Sequence, residues 1–401
     1  MQSTFVGADF LLPRKNIDLN KWAVVACDQH TSDPAFWTEL SDYVGGAPSA
    51  LRLVLPECFL DTAAIERQAA AINAAADKYL ADGVFASYSG MVFVERTLSG
   101  GGKRYGVVAC VDLDAYGYTA NAKTPVRASE GTVAERIPPR AEIRKNCLVE
   151  IPHIMLLIDD PDRTVIEPYV DKGPPLLYDF ELSRGGGRIK GGLIADTSEI
   201  AAALGKLEAE SVRRYGSPFL SAAGDGNHSL AAAKAHWERV KAAGDTSSPA
   251  RYALCEIVNI YDGGLMFEPI HRAVFGVDPQ RLYGALSSLK FGGAAESYTF
   301  VSGNAERRVS LPADAIRAVA VLTEFLDGYT KSEGGKVDYI HGGDELRAVC
   351  ARPDAAGIAL KAMSKDGLFP YIATAGALPK KTFSMGGAAD KRYYLEARKI
   401  K

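Results

Sequence analysis

The chain has 401 residues, 47% of them hydrophobic and 24% charged, which is the composition of a globular protein long enough to bury a sizeable core without disulfide or metal staples. A formal net charge of −3 with no long basic run argues against a nucleic-acid-binding surface, whose affinity rests on clustered Lys and Arg. Cys27, Cys58, Cys110, Cys147, Cys255 and Cys350 are scattered, form no C-x-x-C pair and sit mostly in apolar runs, which fits a reducing compartment better than a disulfide framework. Met1 to Asn20 lacks a signal-peptide pattern, and no window reaches the apolar length that spans a bilayer. A cytoplasmic protein with a small-molecule ligand and neither nucleic-acid nor membrane partners is expected. The sequence does not specify an oligomeric state.

In chain order, Lys21 to Cys27 reads as a buried strand, followed by a polar loop over 28–34 and a short helix near Trp37 and Leu40. Asp61 is placed to cap an Ala-rich helix running towards Leu80, with Ile65, Ala69, Ile72, Ala76 and Tyr79 on one face. Val84 to Leu98 and Arg104 to Leu113 read as a strand pair joined by the glycine-rich turn 99–103. Residues 119–150, dense in charge and carrying Pro138 and Pro139, are expected to form a long irregular polar segment, and long ordered loops are often functional. Strands are expected over His153 to Ile158, Val165 to Val170 and Leu176 to Leu182. A helix is expected from about Ser198 to Tyr215, a buried strand over Arg251 to Ile260, a helix around Val319 to Phe325 and a short strand over Val337 to His341.

The densest site chemistry lies between these elements. A strand-like run, Pro218 to Ala223, feeds into Gly224-Asp225-Gly226-Asn227-His228-Ser229, and a helix-like run from Leu230 to Ala243 follows with Leu230, Ala233, Trp237 and Val240 on a core-facing stripe. A helix start offers unpaired N–H groups and partial positive charge, a ready place for phosphate or carboxylate. The plainer alternative is that the glycines make the turn, Asp225 or Asn227 caps the helix and His228 packs. The same residues approach G-x-G-x-x-G, but Ser229 stands where the third glycine belongs and an acid separates the first two, which speaks against a dinucleotide fold.

Three further stretches carry polar chemistry. Arg127 to Arg140 holds Glu130 beside Gly131 and Thr132, an open setting for a carboxylate acting as base or holding a cation, or equally a solvated, salt-bridged loop. Asp262 to Arg272 follows a buried strand and ends in His271-Arg272. Leu378 to Gly386 contains Lys380, Lys381 and Thr382, suited to phosphate or to an ordinary exposed turn. G-x-x-x-x-G-K-[ST], G-x-S-x-G and H-E-x-x-H are missing from the sequence. The six histidines show no zinc-ligand spacing.

Taken in this order, Val24 to Gln29, Gly224 to Ser229, Glu268 to Arg272, Leu378 to Thr382 and Lys391 to Arg398 resemble the domain-of-unknown-function 1015 family over essentially the whole chain. Many members carry D-G-H-H-R where this chain has Asp225-Gly226-Asn227-His228-Ser229, a form similar to the nucleotide-site motif of the ParB/sulfiredoxin-like superfamily. That resemblance implies phosphate binding by Asp, His and Arg at a helix start, and some members phosphorylate free serine with a glutamate as base. Asp225, Gly226 and His228 match; Asn227 and Ser229 depart, and the missing arginine removes a bidentate phosphate contact.

The expected fold is α/β or α+β, with mixed sheets, flanking helices and two tightly apposed lobes around one cleft: residues 1–195, including the polar segment 119–150, and residues 196–401, including the Asp225–His228 turn. The expected function is a phosphotransferase acting on a small hydroxylated metabolite with ATP or ADP and Mg²⁺. Asp225, His228 and Glu130 are its catalytic candidates; Gly226, Asn227, Ser229, Arg127, Thr132, Arg272 and Lys381 are its candidates for phosphate or substrate binding. The alternative is a non-catalytic anion or metabolite sensor, or an assembly protein.

Overall fold

Alternate residues of the paired strands Phe85–Thr97 and Lys103–Asp112 feed two different cores. Val92, Val94, Val108 and Cys110 join one cluster with Trp22, Trp37 and Tyr79. Met91, Phe93, Val107, Ala109 and Val111 join the other with Leu204, Leu230 and Trp237. Successive strand side chains point to opposite faces, so these strands read as continuous apolar runs because helices cover both sides. The architecture is mixed α/β, as expected. The computed structural model describes residues 3–401 apart from Ser32 and Val133. Ser32, in the expected loop 28–34, and Val133, in the segment 119–150, thus lie outside the described residues, as do Met1 and Gln2.

Two compact units divide the chain: residues 1–265 with 388–401, and residues 266–387. The division expected at 195 falls inside the first unit, between strand Arg188–Ile194 and helix Ser198–Tyr215. In the first unit, the path through the large sheet runs Tyr116–Gly117, Val126–Arg127, Ser221–Asp225, Met155–Ile158, Tyr252–Asn259, Lys103–Asp112, Phe85–Thr97, Ala8–Pro13, Ala397–Lys399, Val149–Glu150. The last residues of the chain therefore complete this unit: Tyr393–Tyr394 pairs with Val24–Val25, and Ala397–Lys399 joins strands Ala8–Pro13 and Val149–Glu150. Their charges are buried with partners. Arg392 donates to Glu256 (2.5 Å) and Glu396 (2.6 Å), and Arg398 donates to Glu150 (2.5 Å).

The second unit is built on an antiparallel sheet ordered Ala305–Pro312, Ala295–Ser302, Ala355–Ala359, Phe267–Phe275, Lys336–His341. Helices Pro279–Ser287 and Ala315–Glu333 bury Leu282, Leu286, Val319 and Leu322 against it.

Local chemistry explains where the elements differ from expectation. The run Lys21–Cys27 is not one strand. Asp18 accepts from Asn20 N–H and starts the helical turn Leu19–Trp22, and only Val24–Val25 pairs. Residues 165–170 are not a strand either. The Asp160 carboxylate takes the N–H groups of Thr164 (2.7 Å) and Val165 (2.9 Å), a side-chain alternative to sheet pairing, and helix Pro168–Lys172 follows. Within 119–150, helix Ile137–Lys145 forms because its prolines lie in the first turn, where a missing N–H costs little.

Candidate functional site

Strand Ser221–Asp225 lies between Val126–Arg127, parallel to it, and Met155–Ile158, antiparallel, with Asp225 opposite Met155. The chain then turns at Gly226, whose φ is +75°; a Cβ there would stand 3.0 Å from Ile154 Cα. Both the left-handed backbone and the close approach require glycine. Helix Asn227–Ala242 begins at once, with Leu230, Ala233 and Trp237 buried on the expected stripe. Its N-cap is Gly226, and no side chain caps it. The alternative in which Asp225 or Asn227 caps the helix therefore does not hold. Asp225 Oδ1 accepts from Gly226 N–H (2.9 Å), and Asn227 Nδ2 donates to Ser129 Oγ (3.3 Å). Asn227 is buried, and its Oδ1 has no hydrogen-bond partner among the described residues.

Cations and carboxylates gather at this corner. Lys391 Nζ lies 3.3 Å from Asp225 Oδ2, with both side chains largely buried. Asp28 Oδ2 lies 3.3 Å from His153 Nε2, and His153 Nδ1 lies 2.8 Å from the Tyr394 hydroxyl, which also accepts from Cys27 N–H (3.1 Å). Burial alone would lower the His153 pKa, but the charge and hydrogen bond of Asp28, with Asp225 beyond, hold it above the usual histidine value. Burial alone would raise Asp28; the charge and hydrogen bond of His153, a bond from Gln29 and the charge of Lys391 hold it well below the ordinary carboxylate range. Each partner thus favours the charged form of the other. Burial pushes the Cys27 thiol up to about 12, which keeps it protonated and a poor nucleophile.

Beside the corner, the first unit contains a mainly aliphatic pocket of about 150 Å³. Ser229 and Ala232 reach it from helix Asn227–Ala242, Arg140 and Arg144 from helix Ile137–Lys145, and His153, Tyr394 and Cys27 from the ion-paired cluster. The largely buried Arg140 side chain is paired with Glu57.

The other expected residues fall into separate groups. Ser129, in contact with Asn227, brings the segment carrying the half-buried Glu130 to the turn. Thr132 lies two residues on, its Oγ1 buried without a hydrogen-bond partner among the described residues. His228 is half-buried in the first helical turn. Arg127 is buried, and its guanidinium meets the polypeptide on two of its three nitrogens. It donates to Thr124 O (3.0 Å), Ser217 Oγ (2.8 Å) and Pro218 O (2.8 Å) and lies over the Phe219 ring, which fastens strand Val126–Arg127 to the approach of the site strand. Arg272 is likewise committed. In the second unit it donates to the carbonyls of Ile270 (2.6 Å), Lys380 (3.2 Å) and Lys381 (3.0 Å), over the Tyr339 ring. Lys381 belongs to that unit too, exposed on a left-handed backbone of φ +56°.

Lys391, Asp28, His153, Tyr394 and Arg140 were not among the expected site residues. Asp28 carried a signal, a carboxylate directly after a buried apolar run. Arg140 and Arg144 carried another, since residues four apart share one helix face. Lys391 opens one of the stretches that carry the family resemblance, but its pairing was not legible, because its partner is 166 residues away in sequence.

The chain belongs to the family described as "Protein of unknown function (DUF1015)", whose model matches residues 11–398. No curated protein matches it. Among solved structures it is similar to a free serine kinase in complex with AMP, at 11% identity and TM-score 0.38, covering 73% of this chain and 91% of that one. It is also similar to SbnI with a C-terminal truncation from Staphylococcus aureus, at 11% identity and TM-score 0.38, covering 72% and 85%. A conserved hypothetical protein from Pyrococcus furiosus is similar at 11% identity and TM-score 0.36, covering 73% and 95%.

Proposed function

We propose that this DUF1015 member is a nucleotide-dependent phosphotransferase acting on a small hydroxylated metabolite, with the 225–229 turn as a ParB/sulfiredoxin-like phosphate cradle. The observation that carries the reading is the ammonium of Lys391 held on Asp225 at a helix start that no side chain caps. Phosphoryl transfer asks little covalent chemistry of a protein and much positioning and charge stabilisation. In this reading the first-turn N–H groups, Gly226, Asn227, His228 and Ser229 hold phosphate oxygens. Lys391 and the His153 imidazolium balance their charge. Thr132 offers a hydroxyl to the same ligand.

Glu130 serves as base. As the acceptor hydroxyl oxygen forms its bond to the terminal phosphorus, its proton passes to the Glu130 carboxylate. The bond from that phosphorus to the bridging oxygen breaks, and the nucleotide diphosphate leaves with the electron pair, its charge met by Lys391 and the helix start. Asp225 keeps Lys391 oriented.

Among the described residues, no group of three or more His, Cys, Asp or Glu side chains is gathered for a metal ion. Mg²⁺ is commonly held by one or two carboxylates together with phosphates and water. Asp225 and the buried Asn227 Oδ1 are oxygen donors that fit an ion arriving with the nucleotide, and they would hold it here. Such an ion supplies charge neutralisation between phosphate oxygens.

The test is ADP formation from ATP and Mg²⁺ by the full chain over a panel of small hydroxylated metabolites. Acceptor-dependent ADP release, lost in Glu130→Gln, supports the reading. A ligand-induced rise in melting temperature with no nucleotide consumed under any acceptor replaces it with the sensor reading.

A further inference from the structure

The pocket beside the corner has a chemistry of its own. Leu53, Leu55, Ile72, Ile143, Val149 and Ile400 line it with branched aliphatic groups. Apolar cavities of about 150 Å³ take a benzene-sized molecule, so this one accommodates a body of roughly four to six carbons. Arg140 and Arg144 also line it, from one face of helix Ile137–Lys145. Glu57 neutralises the first and Glu150 the second. Arg144 Nε is buried with no hydrogen-bond partner among the described residues, a guanidinium N–H directed at no acceptor. Buried donors are almost always satisfied, so this one leaves the Arg144 guanidinium with bonding capacity that its partners Glu150 and Tyr252 do not use.

Other ligand classes fit less well. Three arginines, Arg140, Arg144 and Arg398, meet the two carboxylates Glu57 and Glu150, so an amine would add to an excess of positive charge. The aromatic rings on the wall among the described residues, Tyr394 and His153, are packed edge-on against each other.

We propose that this pocket binds a short aliphatic carboxylic acid of about four to six carbons. Its carboxylate is received by Arg140 and Arg144 and its chain by the aliphatic walls. Glu57 occupies Arg140 until the acid arrives. Because Ser229 and Ala232 close the pocket from the corner helix, an acid of this kind that also carries a hydroxyl is the acceptor of the transfer described above. That last assignment rests on the phosphotransferase reading; the binding does not.

Calorimetric titration of the full chain with acetate, butanoate, hexanoate and hexylamine, and separately with ATP, tests the inference. Hexanoate is expected to bind about tenfold or more tighter than acetate, since each buried methylene adds affinity, and hexylamine is expected not to bind. Arg140→Gln weakens hexanoate by about tenfold through loss of a charged contact. Glu57→Gln tightens it by removing the competing carboxylate, a gain that a merely structural role would not give. Hexanoate that fails to bind, or binds a folded Arg140→Gln chain as well as the native one, overturns the proposal. ATP binding without acid binding overturns the pocket proposal and leaves the phosphotransferase reading standing. Acid binding without ATP binding supports the pocket and removes that reading.

Discussion

Lys391 reaches Asp225 at 3.3 Å across 166 residues of sequence, while its neighbour Arg392 reaches Glu256 at 2.5 Å. The two acids sit in one row of the sheet, for Asp225 and Glu256 both lie opposite Met155. The closing segment of the chain thus places one cation after another along a line of strand carboxylates.

Removing the first of these cations leaves Asp225 largely buried without that partner. Lys391→Met is expected to cost about 3 kcal/mol, because an uncompensated buried charge is more costly than the pair is stabilising. Urea denaturation reads the loss, and Lys391→Arg should recover most of it.

The second cation makes a sharper test. Arg392→Met should destabilise by about 3–5 kcal/mol, since Glu256 and Glu396 stay inside without this counter-ion. Adding Glu256→Gln and Glu396→Gln removes both stranded charges and should recover a large part. A triple variant as unstable as the single one would show that packing, not charge, holds this segment.

Much of this was legible in the sequence, and the reasons are local. Helix Ser198–Tyr215 has its glycine stop and apolar face, and the pair Phe85–Thr97 and Lys103–Asp112 has its glycine turn. The 225–229 turn was legible because glycine, acid, amide and hydroxyl chemistry fell within six residues. What failed were the short elements. Asp18 and Asp160 bond backbone N–H groups locally and override an apolar run. For Arg127 and Arg272 the sequence shows a charge, but not the carbonyls that each of them meets. The cluster Asp28, His153, Tyr394 and Lys391 is assembled by tertiary contacts between segments with no sequence proximity.

The Asp28–His153 pair sets a pH dependence. His153 is raised in the folded state, so its contribution is fully present below the unfolded value near 6.5 and is lost as pH rises through the folded pKa. Asp28 is depressed, so its contribution is present above the unfolded value near 3.8 and is lost as pH falls through the folded pKa. Melting temperature should therefore decline from about pH 6.5 upwards. Asp28→Asn should flatten that decline and lower the His153 pKa seen by NMR titration. A decline unchanged in Asp28→Asn would count against the pair.

Gly226→Ala tests the turn itself. Alanine must adopt φ +75° with its Cβ 3.0 Å from Ile154 Cα, at a cost of about 2 kcal/mol. Thermal melting reads that cost, and helix Asn227–Ala242 should show faster amide exchange in its first turn. Exchange unchanged there would mean that the turn tolerates the side chain.

The central claim is that the helix start at 225–229 receives the phosphates of a nucleotide. Calorimetric titration of the full chain with ATP and Mg²⁺, for the native protein, Lys391→Arg and Lys391→Met, tests it most directly. The account predicts saturable binding to the native chain and Lys391→Arg, weakened about tenfold or more in a folded Lys391→Met chain. Binding that is equal in all three, or absent from the native protein, contradicts it.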